Sequence, residues 1–323
     1  MKGNEHVYCL RTERPKVLFL GNGLTRNSGG LSWNGAILGI AAQKNQIKGF
    51  MKTADKIKDG FTIPYTPLAL ITAPVEDKER HAKYMEVFRK EKYEPLPLLE
   101  RLVKLPFSAV LTTNYTYEVE NALLSGFSYL SQSAQMRKSQ SFHRGAGRDT
   151  YLLERCNVVH PFAPQIWHVH GEINRRSSVV LTHDEYARLI TAMLGYLREQ
   201  GNRYYDTIDE FEFRSWIDYL LMADVYVLGL ELDFSEFDLW WMLGRRKREK
   251  APTGKLVFYE YGAECKKPKQ DALFALGADV RHLGFNSEDK KSYSSDDRFY
   301  YEFYEAAICD IERELLKQEA THV

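Results

Sequence analysis

The chain has 323 residues, 44% of them hydrophobic and 27% charged, enough to bury a full core and ordinary for a globular protein. Lys plus Arg equals Asp plus Glu at 44 each, so no global basic field points to nucleic acid. No run approaches the roughly 18–20 apolar residues of a membrane span, and the N-terminal residues lack the apolar region of a secretory signal. The four cysteines (Cys9, Cys156, Cys265, Cys309) lie far apart with no CxxC pair, which speaks against a zinc ribbon and a disulfide framework. A reducing cytoplasm is the expected setting, with no metal and no membrane.

The first predicted element is Val17–Leu20, a continuous apolar run of the kind covered on both faces in a parallel sheet. A glycine-rich turn over Gly21–Gly30 follows, and Ser32 is placed to cap a helix running to about Gln43. Arg14 through Ala54 carries no Asp or Glu, as an anion cradle at a strand-to-helix turn requires. Residues 44–105 read as a helical insertion, with a charged helix over Glu76–Tyr93 and a short one over Leu96–Leu105.

Phe107–Thr113 is a second core strand, followed by a helix through Val119, Ala122 and Leu123. Residues 125–165 turn polar and aperiodic, the signature of a loop-rich insertion acting as a lid or assembly segment. Ile166–His170 is a third strand and Ser178–Leu181 a fourth. A helix starting at His183-Asp184 places Tyr186, Leu189, Ile190, Met193, Leu194 and Leu197 at helical spacing.

Phe211–Ala223 reads as a helix, Val225–Leu228 as a strand, and Ser235–Arg248 as a helix whose RRKR end is solvated. Lys255–Tyr259 and Val280–Leu283 complete the strands, with a helix through Leu273 between them. A long amphipathic helix closes the chain over 296–323. Strands alternating with helices predict one α/β domain over 1–323, a mostly parallel sheet with helices on both faces. Ligands in such folds bind at the carboxyl ends of the strands.

The strand-end residues narrow the chemistry. A hydride-transfer nucleotide domain wants GxGxxG and an acid about 20 residues on. Here the loop is GNGLTR and the first acid after Gly21 is Asp55, so an ordinary dehydrogenase is not expected. His168 and His170 share a face of a strand at i,i+2, but no carboxylate or cysteine at a recognisable spacing completes a metal site.

Gly21-Asn22-Gly23-Leu24-Thr25 with Ser32-Trp33, then Thr112-Thr113-Asn114-Tyr115, then His170-Gly171, then Val180-Leu181-Thr182 with Tyr186, then Gly229 with Asp233 and Asp238, stand in this order at the strand ends. This set resembles the SIR2 (sirtuin-like) superfamily, over roughly Lys16 to Arg245, and within it the bacterial branch many of whose members hydrolyse NAD in anti-phage defence. The resemblance implies a Rossmann-like fold with NAD as substrate. Gly21, Asn22, Gly23, Leu24 and Thr25 would lie against the pyrophosphate, with Trp33, Thr113, Tyr115 and Gly171 lining the site. Asn114 would sit beside the nicotinamide ribose and His170 would be the catalytic base. Gly229 and the residues after it, including Asp233, would approach the adenosine half.

Elementary chemistry agrees with those roles. Cleavage of the nicotinamide–ribose bond passes through an oxocarbenium-like state, so the protein mainly positions the ribose and activates a nucleophile. A histidine near its ordinary pKa of about 6.5 suits proton removal, and an Asn amide donates and accepts at once. Glu231 is placed to accept the adenosine ribose hydroxyls.

Two departures shape the expectation. Thr116 stands where the family carries an acid two residues after the Asn, which keeps open a second reading, a non-catalytic subunit or sensor binding NAD or ADP-ribose. The four-cysteine zinc module of the protein deacylases is missing, so NAD hydrolysis is expected ahead of deacylation. The family further implies control by a homo-oligomer or by a separate ATPase or sensor protein.

Overall fold

The computed structural model describes residues 14–26, 97–126, 140–141, 155–156, 163–175, 178–200, 213–233, 236–249 and 253–320. Trp33, the helix expected from Ser32, the charged helix at Glu76–Tyr93 and most of 125–165 lie outside them. In chain order the strands are β1 (Lys16–Leu20), β2 (Ala109–Thr112), β3 (Gln140–Ser141), β4 (Arg155–Cys156), β5 (Gln165–His168), β6 (Asp224–Leu228), β7 (Leu256–Tyr259) and β8 (Asp279–Arg281). The helices are α1 (Gly23–Arg26), α2 (Pro97–Val103), α3 (Glu118–Gly126), α4 (His183–Gln200), α5 (Trp216–Met222), α6 (Phe237–Lys247), α7 (Lys267–Ala275) and α8 (Asp296–Ala320). No described helix is long and apolar enough to cross a membrane.

Six strands form one parallel sheet in the order β5-β2-β1-β6-β7-β8, while β3 and β4 pair antiparallel on their own. Counting only the main sheet, this is the doubly wound order 3-2-1-4-5-6, with its reversal between β1 and β6. The predicted Rossmann-like α/β fold is the observed one.

Strand periodicity divides the core into two layers. Val17, Phe19, Ala109, Leu111, Trp167, Val225 and Val227 face α4, α5 and α6, whereas Leu18, Leu20, Val110, Ile166, Tyr226 and Leu228 face α2, α3 and α8. β1, β2, β6 and β7 are buried on both sides, which is why they read as apolar runs rather than alternations, whereas the edge strand β8 is partly exposed.

The structure corrects several elements. Helix formation begins inside the glycine turn, at Gly23, because the Asn22 carbonyl accepts both the Arg26 N–H and the Thr25 hydroxyl at 2.8 Å. α5 starts at Trp216 rather than Phe211, since Ser215 caps it reciprocally with Asp218. On α4, Tyr186, Leu189, Met193 and Tyr196 are buried, but Leu194 is exposed.

Ser178–Leu181 forms no strand. Gly171, at φ +89°, turns the chain back. Ser178 then spends its hydroxyl on the loop's own backbone, and Val180 N–H bonds the His170 carbonyl at 2.9 Å.

Candidate functional site

The carboxyl edge of the sheet is built around the reversal between β1 and β6. Gly21 N–H donates to the Leu228 carbonyl at 3.1 Å and Gly23 N–H to the Gly229 carbonyl at 2.8 Å. A Cβ on Gly21 would collide with the Gly229 and Leu230 backbone, so this junction requires glycine. Two amides of the expected anion cradle are thus committed to joining the strand ends. Leu24 and Thr25 are buried in the first turn of α1.

Next to β1, β2 ends at Thr112 and delivers Thr113 and Asn114. Thr113 N–H continues the ladder onto the Leu20 carbonyl at 3.2 Å. Asn114 donates its side-chain amide to Glu118 Oε1 at 2.6 Å, and its backbone N–H to Thr112 Oγ1 at 3.1 Å. Its carbonyl accepts from His168 Nδ1 at 2.6 Å, and His168 Nε2 pairs with Glu120 Oε1 at 2.8 Å.

Burial works against a charge on His168, but Glu120, then Glu172 and the Asn114 carbonyl, overcome it and push its pKa up to about 9. The imidazolium therefore donates from both nitrogens. Burial pushes the neighbouring Glu118 up to about 7, opposed by a hydrogen bond from Thr116 and by the His168 charge. Thr116, at the position where the family carries an acid, thus serves an acid two residues further on. Tyr117 extends the cluster, donating to Glu172 Oε2 at 2.8 Å.

His168 and His170 do not share a face. The strand ends at His168, and residues 169–170 turn. His168 points to α3 on one side of the sheet. His170 Nε2 instead lies 3.0 Å from Asp238 Oδ2 at the start of α6, on the other side. Both His170 and Asp238 are 0% exposed.

The Tyr186 ring meets His170 edge-on, centroids 5.4 Å apart. Burial opposes a charge on His170, while Asp238 and then Glu236 raise its pKa above the ordinary value. Glu236, buried beside them, is pushed up to about 7, chiefly by desolvation. Among the described residues no group of three His, Cys, Asp or Glu is placed to hold a metal ion.

Asn114 and His170 are linked through Tyr115. Its carbonyl accepts from Ile173 N–H at 2.8 Å and its hydroxyl donates to the Val180 carbonyl at 2.6 Å, while Val180 N–H bonds the His170 carbonyl. Gly171 lies in the same loop.

On the far side of β1, Gly229 leaves β6 at φ +68°. Glu231 beyond it is 68% exposed along its side chain, 3.5 Å from Lys266 Nζ. Its carbonyl accepts from Lys269 Nζ at 2.6 Å. The Asp233 backbone is tied to Glu236 Oε2 at 3.0 Å and to Trp240 Nε1 at 3.2 Å. The candidate residues thus fall into three groups along one sheet edge, with the glycine turn in the middle.

Sequence reasoning assigned no role to Glu118, Glu120 or Glu236, and it counted Asp238 among the residues carrying the resemblance without pairing it with His170. The Glu118/Glu120 pair, directly after a strand-end Asn, was the available signal, but acids in a first helical turn read as dipole partners. Arg246 was also misread. The RRKR run is not a wholly solvated helix end, since Arg246 is 3% exposed and caps the backbone of α5.

A family model, the SIR2-like domain, matches residues 108–270, which include β2, β5, β6 and β7 with Asn114, His170 and Asp238. None of the curated proteins compared with the chain matches it.

Proposed function

The chain belongs to the SIR2-like domain family, and on that premise we propose that it hydrolyses NAD+ at the nicotinamide–ribose bond. One observation carries the reading. The three adjacent strands β5, β2 and β1 end in the His170 loop, Asn114 and the glycine turn, and β6 follows with Gly229 and Glu231. From β5 to β6 is three inter-strand gaps, about 14 Å, a breadth suited to a dinucleotide laid across the sheet edge.

The chemistry follows from the side chains. The C1′–N bond breaks with its electron pair moving to the pyridinium nitrogen, releasing neutral nicotinamide. A water oxygen bonds C1′ and its proton passes to His170. Glu118 holds one N–H of the Asn114 side-chain amide, which leaves its oxygen and its second N–H for a ribose hydroxyl or the water.

The test is chromatography of NAD+ incubated with the pure protein. Nicotinamide and ADP-ribose, or a cyclised product, should appear, and His170→Ala or Asn114→Ala should abolish them. The complete burial of His170 also suits a subunit that binds NAD or ADP-ribose without cleaving it. Calorimetric binding with no nicotinamide release under any condition would establish that second reading over the first.

We further propose that the protein is an effector of bacterial antiviral defence. An NADase active at all times would deplete its own cell, so control by homo-oligomer assembly or by a separate ATPase or sensor protein belongs to this reading. Light scattering that found only a constitutively active monomer would end it.

A further inference from the structure

Around the junction of the His170 loop with α6, polar atoms are buried without hydrogen-bond partners among the described residues. They are His170 Nδ1, Asp238 Oδ1 and Glu236 Oε1. An unpaired buried polar atom costs about 1–3 kcal/mol, and native proteins keep few of them. Three on adjoining side chains, one of them the residue proposed for proton transfer, call for a chemical explanation.

Local geometry supplies one. A carboxylate oxygen only accepts, so the 3.0 Å contact between Asp238 Oδ2 and His170 Nε2 requires the proton on Nε2. When the ring is neutral, its accepting nitrogen is then Nδ1, the atom without a partner. Asp238 is well placed to act as this anchor. It occupies the first turn of α6, where the helix end favours negative charge, and neither side chain is solvent-exposed. Tyr186 fixes the ring from α4 by its edge-on contact.

We propose that Asp238 is a positioning residue that holds His170 as the Nε2–H tautomer, so that Nδ1 receives the proton of the attacking water. The last clause rests on the NAD-cleavage reading; the tautomer does not. In that step the water O–H bond breaks, its oxygen bonds C1′, and the proton forms a new N–H bond at Nδ1. The imidazolium so produced stays paired with Asp238. The ionisable groups facing the ring are Asp238 and Glu236 at the start of α6 and Tyr186 on α4.

Nitrogen-15 NMR of the histidine-labelled full chain, without NAD, is the primary test. Above its titration midpoint, His170 should show Nε2–H with Nδ1 unprotonated. Asp238→Asn, whose amide can donate to Nε2, should populate the Nδ1–H form and lower the midpoint by about one pH unit or more. In turnover assays the same variant should lose about 10²- to 10⁴-fold in kcat. The acid limb of what remains should move to lower pH, and Asp238→Glu should partly restore both.

A wild-type His170 carrying its proton on Nδ1, or a titration unmoved by Asp238→Asn, overturns the proposal. If Asp238→Asn fails to fold, the wild-type tautomer alone decides. The expected tautomer with no nicotinamide release would overturn the Nδ1 role along with the hydrolase reading, and leave the Asp238–His170 anchor standing.

Discussion

At the scale of single residues, Arg246 shows how one buried cation organises a neighbourhood without touching the site. Its guanidinium donates to the carbonyls of Leu220, Leu221 and Ala223 at the end of α5, and to those of Gly254 and Lys255 before β7. Burial pulls its pKa down to about 10, with Asp224 acting the other way, so it stays charged at neutral pH. The Lys255 carbonyl would keep its bond from the Val225 N–H, but Arg246→Met would remove the guanidinium from the carbonyls of Leu220, Leu221, Ala223 and Gly254 and should cost about 3 kcal/mol or more. Arg246→Lys, which lacks the planar fork, should cost somewhat less. A lower urea midpoint at unchanged m-value is the readout. A second prediction concerns pH. Glu118 and Glu236 bind protons more tightly folded than unfolded, each with a folded pKa near 7. Their contributions are therefore complete below the ordinary carboxylate range near 4.5 and are lost as pH rises through 7. His168, raised to about 9, contributes fully below 6.5 and loses its share as pH climbs through 9. Stability should fall steadily from pH 5 to 9, by about 3 kcal/mol for a single shift of this size. Glu118→Gln should flatten the lower half of that curve and His168→Gln the upper half, as followed by denaturant midpoints at each pH.

At the scale of elements, the loop from β5 to α4 decides where His170 goes. Gly171 turns the chain at φ +89°, and a Cβ there would run into the Ser178 carbonyl. Gly171→Ala should therefore destabilise the protein by about 2 kcal/mol or more and reduce NAD cleavage further than global unfolding accounts for, measured by comparing activity with the folded fraction. This loop also marks where sequence reading stops. β1, β2, β6 and β7 were legible because strands buried on both faces leave unbroken apolar runs, and α5 misled only at its start, where Ser215 caps it. Ser178–Leu181 has the same apolar look as those strands, yet its backbone closes on its own loop. Periodicity records burial and not hydrogen-bond partners. The site was legible to a similar depth. Asn114 and His170 announce themselves at strand ends, whereas Asp238 is 68 residues from His170. That pairing depends on α6 packing against the sheet, which no local pattern encodes. The two-residue spacing of His168 and His170 predicted a shared face, and a turn one residue after β5 sent them to opposite sides.

At the scale of the molecule, the SIR2-like match over 108–270 takes in only part of the sheet. β1 lies before the matched segment and is the strand that pairs with both β2 and β6. It also carries the glycine turn to the centre of the sheet edge. α8 lies after the match and covers one sheet face with Phe299, Phe303, Ile308, Ile311 and Leu315, all buried. Each such side chain contributes about 1.5–3 kcal/mol on burial. Together they amount to about 10 kcal/mol gross, comparable with the whole net stability of a typical domain, about 5–15 kcal/mol. Removing α8 would take away one of the three helices that cover Leu18, Leu20, Tyr226, Leu228, Val257 and Tyr259 and expose apolar surface that soluble monomers usually keep small. Tyr304 on the same helix also comes close enough to Gly23 to meet any Cβ built there, so α8 supports the glycine turn as well as the core. Two truncations separate these contributions. Residues 108–270 alone should fail to give a native near-UV circular dichroism spectrum, because two half-sheets are left without the strand between them. Residues 1–295 should keep helical far-UV signal but bind a hydrophobic dye and aggregate. Their NAD cleavage should fall at least as far as their folded fraction. A monodisperse 108–270 fragment with a cooperative melt would instead mean that the matched segment folds on its own, and that β1 and α8 are additions to a self-sufficient unit.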